Sequence, residues 1–429
     1  MANPLPYQIM DADNHFNEPQ DCYERYIDPS QRDLAIRYVK DAGGNPIQLF
    51  AGRPSKFSSS QITFSDDELS KMFGEAATGG ESSGDEPAQT VPGMLLNRLN
   101  PLKGLTDDER RQLIAEFRNQ SEAYGNRDLR LALMDDQGIE AALMFPASAH
   151  DIEFEFADNV DAMYANVRAF NRWMHEEVGF AYQNRMFLPP YIPLADVDLA
   201  VAELETVLGQ GTPCVQFKSG HAHGGRANPF GGRSIADPVF DPIWSRIDEA
   251  GARVAIHLGG TDYQKYGADW SEDPDVTFGE FDAFQWVMYW GDRPAMEVTA
   301  GMILHNLFGR FPNVHVCLAE QGTVWLPYLL RKMDHAFLMG RKAKWGVLDE
   351  RPSNIFSEHF IVAPYPEENV PRVLEVSGVQ PIVFGSDFPH GEGLAYPGEY
   401  ADAQLEGVDK ADVHAIMRGN LARFLRLPV

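Results

Sequence analysis

Short apolar runs alternate with longer segments of helical periodicity along most of the chain. Eight runs predict strands, at residues 7–11, 141–147, 186–194, 214–219, 253–260, 313–322, 360–365 and 381–390. Apolar residues that recur every three to four positions predict helices between them, at 126–138, 160–178, 196–211, 241–251, 299–311, 324–340, 369–378 and 411–427. Strands that alternate with helices predict a parallel sheet. Eight such units favour an α/β fold of the (β/α)8 TIM-barrel type over a doubly wound open sheet.

Two regions interrupt this alternation. Residues 30–125 form a long insertion after the first strand of an otherwise single barrel domain, 1–429. The insertion starts with a predicted hairpin at 34–52 and continues with a Gly-, Ser- and Glu-rich segment, 74–90, whose composition predicts mobility. The second region, 261–294, is an aromatic-rich loop after the fifth strand. It either lines a pocket, binds a partner subunit or packs over the barrel mouth.

Charge and cysteine content narrow the functional classes. The chain has 63 acidic and 36 basic residues, a formal net charge of −27, which argues against nucleic acid or an anionic membrane as a partner. Its three cysteines form no CxxC motif, and neither a signal peptide nor a long apolar span is visible. We therefore expect a cytoplasmic enzyme that acts on a small-molecule substrate, as a homo-oligomer or as a hetero-oligomer with a related chain.

Ionisable residues recur where the predicted strands end. The positions are Asp13 and His15 after the first strand, Lys218 at the end of the fourth, His257 on the fifth, Glu320 on the sixth, and Asp387 and His390 on the eighth. The carboxyl ends of barrel strands meet at one mouth, so these side chains are expected to converge. Imidazoles and carboxylates together suit a divalent metal ion, with zinc expected first and manganese or iron as alternatives.

Each position also has a simpler interpretation. His257 can be a hydrogen-bonded core histidine, and Asp387 can cap a turn. Strict alternation along the first strand predicts that Asp11, Asp13 and His15 point the same way, although Asp11 is the weaker ligand candidate and is expected to support the others or to cap a helix.

Six segments together resemble a known family. They read "DADNHFNEP", "MDDQGIEAALMFP", "DPVFDPIWSRIDEAGARVAIHLGG", "FGRFPNVHVCLAEQGTVWLPYLLRKMD", "IVFGSDFPHGEG" and "IMRGNLARFLRL". The set is similar to the amidohydrolase-related family that includes aminocarboxymuconate semialdehyde decarboxylase. The resemblance covers the first strand and most of residues 126–426, but not the insertion. It implies a distorted TIM barrel with a metal ion at the mouth.

The resemblance also implies a set of metal ligands, which fall on Asp13, His15, His257 and Asp387. Two positions depart from the decarboxylases of the family. Asp13 replaces the first histidine of an HxH motif, and Glu320 stands where many relatives have a sixth-strand histidine. In the wider superfamily a carboxylated lysine of the fourth strand bridges two metals. Lys218 and Glu320 occupy comparable places. They either hold a second metal, or Lys218 forms an ion pair with a carboxylate.

The leading functional hypothesis is metal-assisted hydrolysis of a small substrate that contains a carboxylate or carbonyl group. Asp387 would take a proton from the attacking water, and Glu320 or His390 would assist the leaving group. His390 is equally suited to orienting Asp387. A glycine-rich loop carries His221, His223 and Arg226, which either contact substrate or lie in solvent.

Three other hypotheses stay open. Non-oxidative decarboxylation needs the same metal and a group that donates a proton to carbon, but this chain lacks the sixth-strand histidine of the decarboxylases. A subunit of a dimetal iron or manganese monooxygenase, similar to 2-aminoisobutyrate monooxygenase, would tolerate the extra carboxylates. A closed site would instead indicate a barrel with a purely structural metal.

Overall fold

The computed structural model describes residues 5–40, 46–55, 91–147, 149–228, 231–260, 263–271 and 281–428. The barrel strands, labelled here in chain order, are β1 Ile9–His15, β2 Ile139–Phe145, β3 Met186–Phe187, β4 Cys214–Lys218, β5 Arg253–His257, β6 Val316–Ala319 and β7 Phe360–Val362. Parallel ladders join β1 to β2, β2 to β3, β4 to β5, β5 to β6 and β6 to β7.

Isolated parallel bridges close these two groups of strands into a ring. Tyr191, which follows β3, pairs with Gln216 of β4. Segment 381–388 serves as the eighth strand, since Val362 pairs with Ile382 and Asn14 pairs with Phe388. The fold is therefore a (β/α)8 TIM barrel, as the sequence predicts, and its irregular closing segment accounts for the distortion.

Helices follow most of the strands. The α-helices span Cys22–Tyr26, Asp107–Gln120, Arg127–Gln137, Ile152–Glu155, Val160–Trp173, Val197–Gly209, Asp241–Ala250, Tyr263–Asp269, Ala283–Tyr289, Asp292–Leu304, Leu307–Arg310, Leu326–Leu338, Pro352–His359, Val370–Ser377, Tyr400–Gln404, Lys410–His414 and Asn420–Leu425. Short 3-10 turns lie at Pro29–Leu34, Ser121–Tyr124, Ala149–Asp151, Pro238–Phe240 and Pro397–Glu399, and π-turns at Met174–Val178 and Ala415–Gly419. Among the described residues, no helix has both the length and the apolar character of a membrane span.

Local signals explain where several helices begin and end. The Asn126 side chain accepts hydrogen bonds from the first helical amides of Arg127–Gln137, and Gly138 ends that helix with φ +71°. The continuous helix predicted at 299–311 is wrong. It breaks at His305 and Asn306, where Asn306 adopts a left-handed conformation with φ +57°. Asparagine tolerates this conformation better than most residues, so apolar periodicity alone did not reveal the break.

Alternate strand residues fill the barrel interior. Met10, Ala141, Leu143, Ala255 and Cys317 belong to one buried cluster. The C-terminal helix Asn420–Leu425 adds apolar residues to the same cluster. Packing therefore occupies this part of the interior and leaves polar side chains to the strand ends that form the mouth.

The two predicted irregular regions are only partly described. Arg37–Lys40 pairs antiparallel with Pro46–Phe50 where the hairpin was predicted. The segment 74–90, predicted to be mobile, lies outside the described residues. In the aromatic region after β5, Tyr266 and Tyr289 are buried against each other, with ring centroids 5.9 Å apart.

Candidate metal centre

Five ionisable side chains meet at the barrel mouth. They are Asp13 and His15 of β1, His257 of β5, Glu320 after β6 and Asp387 of the closing segment. His15 Nε2 lies 3.1 Å from Asp387 Oδ1 and 3.7 Å from Glu320 Oε2. His257 Nε2 lies 3.1 Å from Glu320 Oε2 and 3.5 Å from Asp13 Oδ1. The fold therefore brings together all four residues that the family resemblance implied as ligands, together with Glu320.

The end of β1 departs from strict alternation. The register of β1 against β2 shifts between Asp11 and Asn14. Asp13 and His15 reach the cluster, but Asp11 instead accepts hydrogen bonds from Asn14 Nδ2 at 2.9 Å and Ser386 N at 2.9 Å. The expectation that Asp11 points the same way as Asp13 and His15 is therefore wrong, because an irregularity in register ends the two-residue period.

His257 is oriented by the backbone. Its Nδ1 lies 2.5 Å from the carbonyl oxygen of Leu258. A hydrogen bond from Nδ1–H to that oxygen fixes the tautomer and directs Nε2 toward Glu320 and Asp13. This arrangement is common for histidines that ligate metals, and it shows why a histidine at the end of an apolar strand is not simply a core residue here.

The backbone at the other two carboxylates is strained. Glu320 and Asp387 have φ values of +51° and +55°. Left-handed conformations in residues other than glycine cost about 1–3 kcal/mol each and cluster at functional sites. Gly385 is equally constrained, since a Cβ there would lie 2.7 Å from Asp13 Cβ. The closing segment thus needs glycine where it passes β1.

His390 extends the cluster on the side of Asp387. Its Nδ1 lies 2.8 Å from Asp387 Oδ1, and its ring centroid lies 3.8 Å from that of His15. About a third of its side chain is exposed, whereas His15 is fully buried. His390 is therefore the member of this group that combines contact with Asp387 and access to the mouth.

Burial and proximity shift the protonation of the whole group. Burial raises the pKa of Asp387 to about 6 and also raises the pKa of Asp13. Burial acts to lower the pKa of His257 and His390, but neighbouring carboxylates raise both to about 10. Burial and the nearby imidazoles lower the pKa of His15 to about 4. Without a metal ion, protonated imidazoles therefore supply the positive charge that the carboxylates require.

A divalent cation fits this donor set. One ligand atom from each of Asp13, His15, His257 and Glu320 lies within 4.8 Å of the others, and the same holds for a second group in which Asp387 and His390 join His15 and Glu320. Within the described part of the chain, Asp13 Oδ1 and His15 Nε2 are buried without a hydrogen bond of acceptable geometry. Buried polar atoms without partners are costly, and a cation would satisfy both.

A buried arginine that the sequence analysis did not single out contacts the backbone that carries the site. Arg130 Nη2 donates to the Asn14 side chain and to the His15 carbonyl at 2.7 Å. Its guanidinium also lies 4.9 Å from the centre of the Phe388 ring. Asn14 in turn donates to Asp11. The network links β1 to the closing segment, so it holds in place the backbone that carries Asp13, His15 and Asp387.

The remaining predicted residues lie on or after β4. Lys218 is buried and lies beside His257 in the β4–β5 ladder. In the loop that follows, His223 Nε2 lies 2.8 Å from the Ala157 carbonyl, and its Nδ1 accepts from Gly225 N. The exposed Arg226 pairs with Asp161 at 2.8 Å. His221 packs against Gly232, where a Cβ would lie 2.2 Å from His221 Nδ1. None of the three loop residues belongs to the donor groups found among the described residues.

Comparison with known proteins identifies the family. Residues 99–427 match the family model described as Amidohydrolase. The chain belongs to the amidohydrolase family. It is accordingly an enzyme, and the resemblance inferred from its motifs is confirmed.

Individual relatives differ in how much of the chain they cover. A 2-amino-3-carboxymuconate-6-semialdehyde decarboxylase from Dictyostelium discoideum is 22% identical over 240 residues, which span 55% of this chain and 60% of that protein. A crystal structure of an amidohydrolase from Mycobacterium avium subsp. paratuberculosis K-10 is 29% identical, with a TM-score of 0.77 over 98% of this chain and 100% of that one.

A more distant structure contains a metal ion. The 5-carboxyvanillate decarboxylase from Novosphingobium aromaticivorans, complexed with manganese and 4-hydroxy-3-methoxy-5-nitrobenzoic acid, is 16% identical with a TM-score of 0.57. The alignment covers 98% of this chain and 97% of that one. At this identity the likeness concerns the fold.

Proposed function

We propose that the chain is a divalent-metal-dependent hydrolase of a small organic substrate. The observation that carries the proposal is the contact of Glu320 with both imidazoles of the cluster, at 3.1 and 3.7 Å, where many family decarboxylases have a histidine. A carboxylate with a low pKa is ionised at neutral pH, so it has no proton to donate to a substrate carbon, which decarboxylation would require. Burial acts to raise the pKa of Glu320, but His15 and His257 hold it well below its usual value.

The proposed ligands are Asp13, His15, His257 and Asp387, with Glu320 beside them. A divalent cation held there would supply Lewis acidity, which would lower the pKa of a bound water from 15.7 toward ~7 and polarise a carbonyl oxygen. Zinc is the first expectation, and manganese is the alternative that the manganese-containing relative supports. Both ions accept imidazole and carboxylate ligands.

The chain's own residues handle the protons. Asp387 accepts a proton from the attacking water, and His390, 2.8 Å from Asp387, returns one to the leaving group. His390 suits this role because it is partly exposed, whereas His15 is buried. Glu320 keeps the two imidazoles oriented and is placed to accept the second proton of the attacking water.

Non-oxidative decarboxylation is the second candidate. Two of the relatives described above are named as decarboxylases. His390 would then donate its proton to the carbon that loses CO₂. The three carboxylates of the cluster weigh against it, since they repel an anionic substrate unless cations balance them.

An isotope experiment separates the two reactions. The metal-loaded enzyme would be incubated in H₂¹⁸O with lactones, amides and aromatic or unsaturated carboxylates, and products analysed by mass spectrometry together with the headspace CO₂. We expect ¹⁸O in a product carboxylate and no CO₂ above a sample without enzyme. Release of CO₂ without ¹⁸O in the organic product would establish decarboxylation instead. Consumption of O₂ by the loaded enzyme would support the oxygenase hypothesis.

A further inference from the structure

Three basic residues lie side by side at the end of the barrel opposite the metal centre. The starts of β5, β6 and β7 are in register, with the paired residues Val254, Val316 and Phe360. The residues just before these three are Arg253, His315 and His359. Neighbouring strands lie about 4.8 Å apart, and the ring centroids of His315 and His359 are 5.4 Å apart. The register of the sheet therefore brings three nitrogen-rich side chains together at the amino-terminal ends of the strands.

Arg253 is buried, but only part of its guanidinium is engaged. The residue is 8% exposed, and its Nε donates to the Phe424 carbonyl oxygen at 2.6 Å. The guanidinium carbon also lies 5.6 Å from the centre of the Phe424 ring. These contacts fix the C-terminal helix Asn420–Leu425 to the barrel. Among the described residues, none accepts a hydrogen bond from the buried Nη1 of Arg253. Because a buried charged donor without an acceptor is costly, this atom indicates a site for an acceptor.

A second guanidinium lies close to Arg253. Arg426 follows the C-terminal helix and passes Gly251, where a Cβ would lie 2.8 Å from Arg426 Nη2. Burial, with the charge of Arg426 acting in the same direction, lowers the pKa of Arg253 to about 10. Within the described part of the chain, neither arginine forms an ion pair. We call Arg253, His315, His359 and Arg426 the basic cluster.

The carboxylates that adjoin the cluster do not balance the two arginines. Asp248 accepts hydrogen bonds from Asn313, from N at 2.7 Å and from Nδ2 at 3.2 Å. Glu358 is exposed and acts to raise the pKa of the adjacent His359. In a chain with a net charge of −27, the cluster is therefore a local concentration of positive charge that favours an anion.

The two histidines of the cluster offer acceptors to a ligand. His315 Nδ1 lies 2.9 Å from the Asn313 carbonyl oxygen, and His359 Nδ1 lies 2.9 Å from the Val314 carbonyl oxygen. When Nδ1–H donates to the backbone in this way, Nε2 of the neutral ring is an acceptor. Burial lowers the pKa of both histidines, and the neighbouring arginines lower that of His315 further, so both rings are neutral near pH 7.5. The cluster thus combines charged donors with neutral acceptors.

We propose that the basic cluster binds hydrogen phosphate, the free inorganic ion, at the amino-terminal end of the barrel. Guanidinium groups bind phosphate oxygens through paired N–H donors. Hydrogen phosphate also keeps one O–H group at neutral pH, which can donate to Nε2 of His315, whereas sulfate and the dianion of a phosphate monoester have no such proton. Its tetrahedral oxygens suit partners that come from different elements of the fold, which a planar carboxylate does not. The proposal is independent of the reaction that the enzyme catalyses.

Calorimetric titration of the metal-loaded full chain tests the proposal. Phosphate, sulfate and phenyl phosphate would each be titrated near pH 7.5, at constant ionic strength and without free metal. The variants are Arg426→Gln, which removes an exposed charge, and His315→Phe, which removes the acceptor and keeps a ring. Arg423→Gln is the matched control, because Arg423 is exposed on the same helix and donates to Asn420 instead. Circular dichroism confirms that each variant is folded.

We expect wild type to bind one phosphate per chain with a dissociation constant below ~1 mM. Sulfate and phenyl phosphate should bind about tenfold more weakly or worse, since each lacks the donated proton. Arg426→Gln should raise the dissociation constant for phosphate about tenfold or more, and Arg423→Gln should leave it within about twofold. His315→Phe should lose the preference for phosphate over sulfate.

Three results would overturn the proposal. The first is a wild-type chain that binds no phosphate at about 10 mM. The second is an affinity that stays unchanged in both Arg426→Gln and His315→Phe, which would place the ion elsewhere, such as at the metal. The third is phenyl phosphate that binds as tightly as phosphate, which would make a phosphate monoester the ligand in place of the free ion.

Discussion

The strand ends of the barrel and the glycine-rich loop after β4 carry the same types of residue but use them differently. At the strand ends, His15 and His257 each point at a carboxylate that belongs to another element of the fold, and each distance is 3.1 Å. In the loop, both ring nitrogens of His223 contact the backbone, and Arg226 pairs with the surface residue Asp161. The position of a histidine at a strand end is therefore a better predictor of a role in the site than its presence near glycines.

The difference follows from how each region is held. A parallel barrel fixes the ends of its strands by register, so their side chains must face one another even where that is electrostatically costly. A loop has to satisfy its own backbone groups, and it uses nearby polar side chains to do so. The following predictions test this contrast, from the largest expected effect to the smallest.

Removal of a proposed ligand should abolish metal binding. Asp387→Ala and His257→Ala each delete one donor from the cluster, and we expect metal affinity to fall by more than about 100-fold. Metal per chain, measured by plasma mass spectrometry after reconstitution with zinc or manganese, reports the loss. Arg226→Ala provides the comparison from the loop and should bind as much metal as wild type. Full metal content in both ligand variants would disprove the site.

Glu320→Gln should affect turnover far more than metal content. The amide has nearly the volume of the carboxylate but accepts no proton, so kcat is expected to fall about 10²–10⁴-fold. Steady-state kinetics and metal analysis on the same preparation separate the two effects. Glu392→Gln changes an exposed carboxylate two residues after His390; it is the control and should retain most activity. Equal kcat values for Glu320→Gln and wild type would exclude Glu320 from proton transfer.

Asp11→Asn should weaken metal binding without unfolding the barrel. Asp11 accepts from Ser386 Oγ at 2.5 Å and from Asp13 N at 3.1 Å, so it fixes the backbone beside two proposed ligands. Loss of such support typically reduces metal affinity about 10–100-fold. Competition with a chelator measures the change, and the surface variant Asp161→Asn should show none. An unchanged affinity in Asp11→Asn would mean that the backbone holds the ligands by itself.

His223→Ala should reduce stability and leave the metal in place. The substitution removes the contacts with the Ala157 carbonyl and the Gly225 amide from a buried position. We expect the free energy of unfolding to fall by about 1–3 kcal/mol. Denaturant unfolding measures this change, while metal content serves as the internal control. Loss of metal at an unchanged free energy of unfolding would show that His223 takes part in metal binding.

Arg226→Ala should have the smallest effect. The guanidinium is about half exposed, and exposed ion pairs contribute about 1 kcal/mol or less. We expect little change in the free energy of unfolding and an unchanged KM. A KM raised about tenfold, which corresponds to roughly 1.4 kcal/mol, would instead support the interpretation that Arg226 binds a substrate carboxylate.

The sequence predicted the barrel and the convergence at its mouth because both depend on regular features. Each of the eight predicted strands contains residues that contribute to the ring, and the ionisable residues follow apolar runs closely enough for their position at the strand ends to be clear. His257 illustrates this, as it comes directly after the buried run "RVAI".

The departures arise from contacts that no periodicity encodes. Arg130 lies within an ordinary amphipathic helix, and only the tertiary structure shows that it is buried against β1 and Phe388. The register of β1 against β2 shifts between Asp11 and Asn14, and only the structure shows that Asp11 contacts Asn14 and Ser386.

The closing segment links the fold of the chain to the proposed metal site. Residues 381–388 complete the ring through isolated bridges rather than a regular ladder, and the same residues deliver Asp387 to the cluster. Closure of the barrel and assembly of the donor set are thus the same structural event. Any cation that binds the assembled donors must also favour the closed ring, by about 2.7 kcal/mol at a free concentration one hundred times its dissociation constant. The supply of metal in the cell would then set how long the folded chain persists, as well as how fast it works.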